Sequence, residues 1–457
     1  MTPPDDSRRV ALLLGLLMGL GALGSSSVAV VLVLVGEDLG VSVGVAAWTI
    51  SGYLLLYGVS TAVYGRVADV VGVRTPLLVG VGLMTIGSLA SAAAPTFAVL
   101  MVGRVLQGVG AAAVPTLGVA VITGRYGDGV RALALGRLAA MTAAVSCLGP
   151  LIGGAVDAVA GWRGVMALPA LGFLVIPFVW HTLGREGSGA RIDPLGAVLL
   201  AAASGGLVLL VQSPSSGPGV ALLGVTLLLV GTPLVALRVR RHPHGFLPRS
   251  VITNGRVVRS ALAAASIPAC WFALLVAVPT VLVEEGWTPW DVGLLLVPSA
   301  VVAFMVPGRA APLLQRRGAR WTLGLAAVIA AGALLVAALG SQVVSAPLLG
   351  LSVVVLGVAF GVGQPAMMAA VSSAVEPEVR GVALGVAMLV FMVGGSLGSA
   401  VVAGVSAVAS VSTSLLVLAL LPAAGLVLLR TGRRRVGRAG SRGHAVPEAS
   451  STTTAQS

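Results

Sequence analysis

A chain of 457 residues that is 57% hydrophobic, 9% charged and 4% aromatic, with a mean hydropathy of +1.04, carries too little charge for a water-soluble globular protein. All 28 of its basic residues are arginine, and the lack of lysine excludes a lysine-bearing phosphate loop, Schiff-base catalysis and pyridoxal chemistry. The net charge of +13 is spread as arginines between hydrophobic segments, not gathered on a basic face with aromatic readers, so no nucleic-acid partner is expected.

Apolar runs near the length that a bilayer core of about 30 Å requires fall at 10–35, 46–64, 75–95, 97–122, 133–160, 164–183, 194–212, 218–238, 257–283, 291–311, 321–340, 346–370, 380–406 and 411–430. The expectation is an all-α membrane protein with fourteen transmembrane helices. Arginines occupy every second gap: Arg8 and Arg9, Arg66 and Arg74, Arg125 and Arg131, Arg185 and Arg191, Arg238 to Arg256, Arg316 to Arg320, Arg380, and the cluster from Arg430 to Arg442. The alternate gaps hold Glu37, Asp38, Glu284, Glu285 and Asp291, with Arg163 as their one arginine. Positive charge collects in cytoplasmic loops, so both termini are predicted to be cytoplasmic, in a multi-pass protein of the cell membrane. The start, SRRVALLLG, has the shape of a leader but a long apolar run, and reads as the first helix. The predicted divisions are a cytoplasmic N-terminus 1–9, helices over 10–183, a helix pair over 194–238, helices over 257–430 and a disordered cytoplasmic tail 431–457.

Few side chains in the spans carry chemistry. Cys147 and Cys270 stand alone in apolar runs and read as small core residues. The four histidines, His181, His242, His244 and His444, lie at helix ends, in a loop and in the tail, away from converging acids. No metal, cofactor or enzymatic activity is therefore expected. Arg104 is the sharpest residue, since an arginine near a helix centre costs about 2.5 to 3.5 kcal/mol on insertion scales and should face the bundle interior. It reads either as a structural cation bonded to backbone carbonyls and Gln107 or as a functional one. Tyr53, Tyr57, Thr61 and Tyr64 share one helical face, which suits a wet cavity and suits aromatic packing with locally satisfied hydroxyls equally. Trp271 and Gln364 are further cavity candidates from the later part of the chain. Of the 15 acids only Asp157 lies inside a predicted span, Asp291 being the first residue of its own, and the depth of Asp157 overlaps that of Arg104, so the two are expected to pair.

GRVADVVGVR, from Gly65 to Arg74, reads as a tight turn in which glycines permit the reversal and Asp69 meets a helix N-terminus. It resembles the G-x-L-A-D-x-x-G-R-[KR] loop of the major facilitator superfamily at Gly65, Ala68, Asp69, Gly72 and Arg74, with Val73 departing from the first basic position. LMVGRVLQGVGAA is similar to the superfamily's R-x-x-Q-G-x-G-A-A at Arg104, Gln107, Gly108, Gly110 and Ala111. GPLIGG, with Gly149, Pro150, Gly153 and Gly154, is similar to its antiporter signature, although Val145 replaces a usual glycine. Trp162 and Arg163 match a pair typical of the fourteen-helix drug:proton antiporter branch, whose extra two helices between six-helix halves correspond to 194–212 and 218–238. GRAAPLLQRRGAR, from Gly308 to Arg320, repeats the gating loop weakly, with Pro312 at the acidic position.

This resemblance implies a major facilitator fold and a monomeric secondary active transporter. It would export a small organic compound, an antibiotic, drug or secondary metabolite, in exchange for protons across the lipid bilayer. It implies a coupling role for Arg104 and a gating role for Gly65, Asp69, Gly72 and Arg74. The first-helix aspartate usual in the branch falls at Gly24, where Ser25, Ser26 and Ser27 are neutral substitutes that cannot titrate. A proton-independent facilitator or an importer on the same scaffold therefore stays open, and the substrate is expected to be neutral or anionic.

Overall fold

The computed structural model describes residues 6–183, 194–242, 249–376 and 379–431, apart from the side chains of some helical residues, Arg66 and Asp69 among them. The predicted Arg185 to Arg191 connection, His244 and the tail beyond Thr431 lie outside the described residues.

The described residues form helices and turns, with no strand among them. The long helices are α1 Ser7–Ser26, α2 Trp48–Val71, α3 Arg74–Ala92, α4 Phe97–Ala111, α5 Ala113–Arg125, α6 Asp128–Cys147 and α7 Gly149–Ala167. They continue with α8 Pro194–Ser216, α9 Pro218–Arg241, α10 Gly255–Glu284, α11 Pro289–Arg317, α12 Ala319–Gln342, α13 Ala346–Ser372, α14 Arg380–Ser406 and α15 Val411–Thr431. Among the described residues, 12 stretches are long and apolar enough to cross a membrane, and Leu133–Cys147 and Pro289–Val302 are apolar but shorter.

Backbone hydrogen bonding explains why almost everything is helical, since a chain in hydrocarbon must satisfy its own N–H and C=O groups. Interruptions fall where the local sequence permits them. The first predicted span is broken after Ser26 by a 3-10 turn, Val28–Val31, before a short helix Leu32–Asp38. The fourth is broken at Ala112, between α4 and α5. The sixth is largely a 3-10 helix, Leu168–Val175, with Pro169 at its start. At Gly161, φ +63° and ψ −179° interrupt α7, a conformation that an L side chain resists.

The gating segment differs from its predicted form. Helix α2 runs on through Gly65, Arg66 and Asp69 to Val71, and the reversal is confined to Gly72, at φ +79°. No breaker lies between Gly65 and Gly72, so the helix has no reason to stop earlier. Gly65 serves packing instead, since a Cβ there would lie 3.2 Å from Thr116 Cγ2. The weak repeat behaves alike, with α11 ending at Gly318, also at φ +79°. The Asp69 side chain lies outside the described residues.

Helices α1 to α7 pack chiefly with one another, as do α10 to α15, and the hairpin α8–α9 leans on α2 and α14. The two groups meet mainly where α2 joins α14 and where α6 and α7 join α11. The α2 seam is close at Gly58, where a Cβ would lie 2.7 Å from Met392 Cβ, and the α7 seam at Gly154, where one would lie 2.5 Å from the Pro289 carbonyl. The α7 seam lies at the end remote from the Gly72 and Gly318 turns, and the α2 seam runs from mid-helix toward that end, where Ser396 donates to the Ser51 carbonyl. Helix α9 faces outward with Leu222 and Leu229 about 70% exposed, as a lipid-facing helix would.

Candidate functional site

Arg104 is fully buried, the one charged side chain so placed among the described residues. Its Nε donates to the Thr49 carbonyl at 2.7 Å, Nη1 donates to Gln107 Oε1, and Nη2 donates to the Gly24 carbonyl. The guanidinium carbon lies 4.4 Å from the centre of the Tyr53 ring, within cation–π range. Gln107 Nε2 donates to Ser88 Oγ at 2.9 Å, and Ser88 donates to the Met84 carbonyl at 2.7 Å. Tyr53 Oη donates to the Gly21 carbonyl at 2.6 Å. One arginine thus ties α1, α2, α3 and α4 together.

The close approach of α3 and α4 makes this node possible. A Cβ on Gly87 would sit 2.4 Å from the Gln107 nitrogen, so only glycine lets Ser88 reach Gln107. An arginine in hydrocarbon is tolerable when its donors find acceptors inside the bundle. Here carbonyls and a neutral amide supply them, and the bonding matches the structural reading of Arg104 in its particulars.

The expected partnership with Asp157 does not form. Asp157 is half-buried and has no ion pair or hydrogen bond among the described residues. It stands three residues after Gly154 and seven after Pro150, whose carbonyl lies 2.8 Å from where a Cβ on Gly293 would be. That spacing puts it on the face of α7 that meets α11, not the face toward α4. Arg163 is engaged elsewhere, with Nη1 2.7 Å from Asp38 Oδ2, which also accepts from Trp162 Nε1 at 3.1 Å.

The antiporter-like motif meets the broken part of α1. A Cβ on Gly149 would lie 2.0 Å from Ser26 Oγ, and one on Gly153 2.6 Å from the Ser27 carbonyl. Ser25 and Ser26 both donate to the Ala22 carbonyl, and Ser27 donates to that of Leu23, so all three hydroxyls are spent within their own helix. Val145, where a glycine is usual, is accommodated by Gly19 of α1: a Cβ there would meet Val145 Cβ at 2.5 Å. The clearance that Val145 needs comes from the opposite helix.

On the tyrosine face, Tyr53 and Tyr57 stack at 5.9 Å and Thr61 donates to the Tyr57 carbonyl at 2.6 Å. In the later group, Trp271 packs on Phe360 at 5.5 Å and Phe360 on Phe391 at 5.8 Å, while Gln364 is half-buried one turn beyond Phe360. No described hydrogen bond or ring contact joins Trp271 or Gln364 to the Arg104 node.

Two features escaped the sequence. The Arg74 guanidinium lies 3.6 Å from the centre of the Trp180 ring, beside a cavity of about 420 Å³ lined by these two residues, Thr75 and Leu78. Gln212, fully buried, bonds Ser51 and the Gly44 carbonyl. A lone amide in an apolar run is the signal that would have singled out Gln212.

Membrane-length helices in two packed groups, held by a few buried polar contacts, define a multi-pass membrane protein. The sequence profile of the Major Facilitator Superfamily matches residues 14–399, and the chain belongs to that superfamily. It is 30% identical over 253 residues to the methylenomycin A resistance protein of Bacillus subtilis, covering 54% of each chain. It is 30% identical over 312 residues to the cephamycin export protein CmcT of Amycolatopsis lactamdurans, covering 64% of this chain and 62% of that one. The match thus spans about half to three fifths of these relatives' length. A crystal structure of a POT family transporter with a bound thioalcohol-conjugated peptide has the same fold, with a TM-score of 0.70 at 12% identity, covering 94% of this chain and 96% of that one.

Proposed function

We propose that the chain is a secondary active transporter that exports a small organic compound, an antibiotic, drug or secondary metabolite, by alternating access. Kinship with resistance and export proteins supports the direction and the cargo class. The observation that carries the mechanism is the placement of the joints between the groups, α2 on α14 and α7 on α11, toward one end of the bundle. Rocking about a midplane site would open that end and close the other.

In this reading the chain crosses the membrane fourteen times: α6 and the part of α7 before Gly161 form one crossing, the chain from Gly161 onward forms the next, and α11 adds another to the long apolar stretches. The arginine-bearing end faces the cytoplasm, and the seams close the outer end. Arg104 acts as a fixed positive pole that favours neutral or anionic cargo, its charge answered by carbonyls where a carboxylate is usual. Proton exchange then falls to Asp157, which sits by the outer seam with no ion pair among the described residues. Proton-independent facilitation is the second reading, favoured by the uncharged Gly24 carbonyl beside Arg104.

Inverted membrane vesicles carrying the full chain, screened against a panel of antibiotics with and without a pH gradient, test both. Gradient-driven uptake that is lost in Asp157→Asn supports antiport through this residue. Uptake indifferent to the gradient in the wild-type chain supports the facilitator, and no uptake of any panel member above empty vesicles counts against export of this cargo class.

A further inference from the structure

The hairpin α8–α9 lies between the two helical groups in sequence, and the end of α8 is pinned into the seam between them. Gln212 Oε1 accepts from the Ser51 hydroxyl at 2.7 Å, and its Nε2 donates to the Gly44 carbonyl at 3.0 Å. Trp48 Nε1 donates to Ser216 Oγ at 2.7 Å, one turn further along α8. These bonds seat α8 on the start of α2. On its other side α8 meets α14 so closely that a Cβ on Gly404 would lie 2.2 Å from the Val211 carbonyl. The triangle is closed by Ser396 of α14, whose hydroxyl donates to the Ser51 carbonyl at 2.7 Å.

Gln212, Ser51 and Ser396 are all fully buried. A buried amide in an apolar setting is costly when its partners are lost, so the three helices are held in register only while all three stay in contact. If α2 and α14 part at this end, α8 can follow one of them and must surrender its contacts to the other. The node therefore adds stability to the closed arrangement alone, and a differential contact of this kind is what shifts a two-state equilibrium.

We propose that Gln212 is a positioning residue for transport, which seats α8 across the α2–α14 seam so that the extra hairpin latches the outer end shut between export events. The inference rests on the alternating-access reading above. It gives the hairpin a role beyond lengthening the chain, and it places that role on the same first turn of α2 whose Thr49 carbonyl accepts from Arg104.

The test is a distance measurement by pulsed electron paramagnetic resonance on the purified full chain in lipid nanodiscs. Spin labels are attached at Val159→Cys and Val408→Cys, 85% and 72% exposed near the outer ends of the two groups, in a Cys147→Ser, Cys270→Ala background. The wild-type chain should give a dominant short distance and a minor long one. Gln212→Ala should raise the long-to-short ratio about tenfold, since two hydrogen bonds are lost, and Gly404→Ala should raise it by pushing α8 off α14. Adding Ser51→Ala to Gln212→Ala should bring little further change, because the two act through a shared bond. Should Gln212→Ala not purify as a folded chain, Ser216→Ala removes the bond to Trp48 and a contact with the Ser215 hydroxyl within α8, and about a twofold to threefold rise is expected. A long component in the wild-type chain that none of these variants enlarges overturns the latch while leaving alternating access standing. A wild-type chain and variants that all lack a long component overturn alternating access and the latch with it.

Discussion

In the earlier helical group a fully buried arginine gathers acceptors from α1, α2 and α4 and reaches α3 through Gln107 and Ser88. In the later group Ser266, Ser299 and Ser352 each donate to a carbonyl of their own helix, and Trp271, Phe360 and Phe391 fill space between helices. A serine that bonds back to its own turn carries its partner with it when the helix moves. An arginine shared among helices does not. Since hydrocarbon gives helices no hydrophobic reason to associate, the earlier group has its middle fixed by polar bonds, while the later one carries its described interhelical side-chain bonds near helix ends, Ser412 to the Ala338 carbonyl and Asn254 to the Ala374 carbonyl, and rests on packing between them.

The largest expected effect follows from breaking the polar side of this contrast. Arg104→Met leaves the Thr49 and Gly24 carbonyls and Gln107 without their donor, at about 1–3 kcal/mol for each buried group that finds no substitute. Export should fall by more than about tenfold and the melting temperature should drop clearly. Ser352→Ala, a deletion of one self-contained bond in the later group, should cost within about 1 kcal/mol. Equal losses of thermal stability in the two variants would erase the contrast. Arg104→Lys should recover only part of the function, because an ammonium lacks the planar fork that meets three separately placed acceptors.

How much of this was legible in the sequence depends on what carried each feature. The apolar runs gave the helices, and Gly72 and Gly318 end α2 and α11 with the same positive φ because each closes a short turn between long helices. Arg104 and Gln107 stood out as one polar turn in an apolar run, and their mutual bond was foreseeable at a spacing of three residues. The carbonyls of Thr49 and Gly24 were not, since every residue has a carbonyl and nothing in a sequence marks the one that a distant arginine will reach. The Arg104–Asp157 pairing failed for a related reason: depth along a helix was readable, whereas the face of α7 that meets α11 depended on how Gly154 and Gly293 pack. The fit of Val145 against Gly19 likewise exists only between helices.

A second, smaller effect would sharpen the contrast by adding a charge to the node. A Cβ on Gly24 would lie 3.0 Å from Tyr53 Cζ and Oη, so Gly24→Asp requires a few tenths of an ångström from that ring. The new carboxylate would stand beside the guanidinium that now bonds the Gly24 carbonyl. In an Asp157→Asn background, Gly24→Asp is expected to restore dependence of vesicle transport on the pH gradient, and to weaken transport of anionic panel members relative to neutral ones. If the double variant stays indifferent to the gradient, the Arg104 node is a structural clamp without a coupling role.

The smallest effect separates a fully buried cation from a half-buried one within the same group. At the arginine-bearing end, Asp6 precedes α1 and bonds Arg125 Nη2 and Tyr126 Oη, each at 2.7 Å. Burial tends to raise the Asp6 pKa, but the hydrogen bonds from Tyr126 and Arg125 and the arginine's charge outweigh it, holding the carboxyl below its usual range. Tyr126 is pushed up to about 12, by burial first and then by its bond to Asp6, so the phenol keeps its donor proton across the working pH range. Because the folded carboxyl titrates below the unfolded one, the contact contributes its full stability above the ordinary carboxylate range, and that stability is lost as pH falls through the depressed value. With the paired side chains 25% and 30% exposed, its worth is about 0–1 kcal/mol. Asp6→Asn should therefore melt slightly below the wild-type chain at neutral pH, with the gap closing as the pH drops below about 4, and with export nearly unchanged. A gap that persists undiminished in acid would mean that Asp6 contributes through packing and not through its charge, and a loss of export comparable to that of Arg104→Met would mean that the half-buried clip, and not the buried node, holds the earlier group in its working shape.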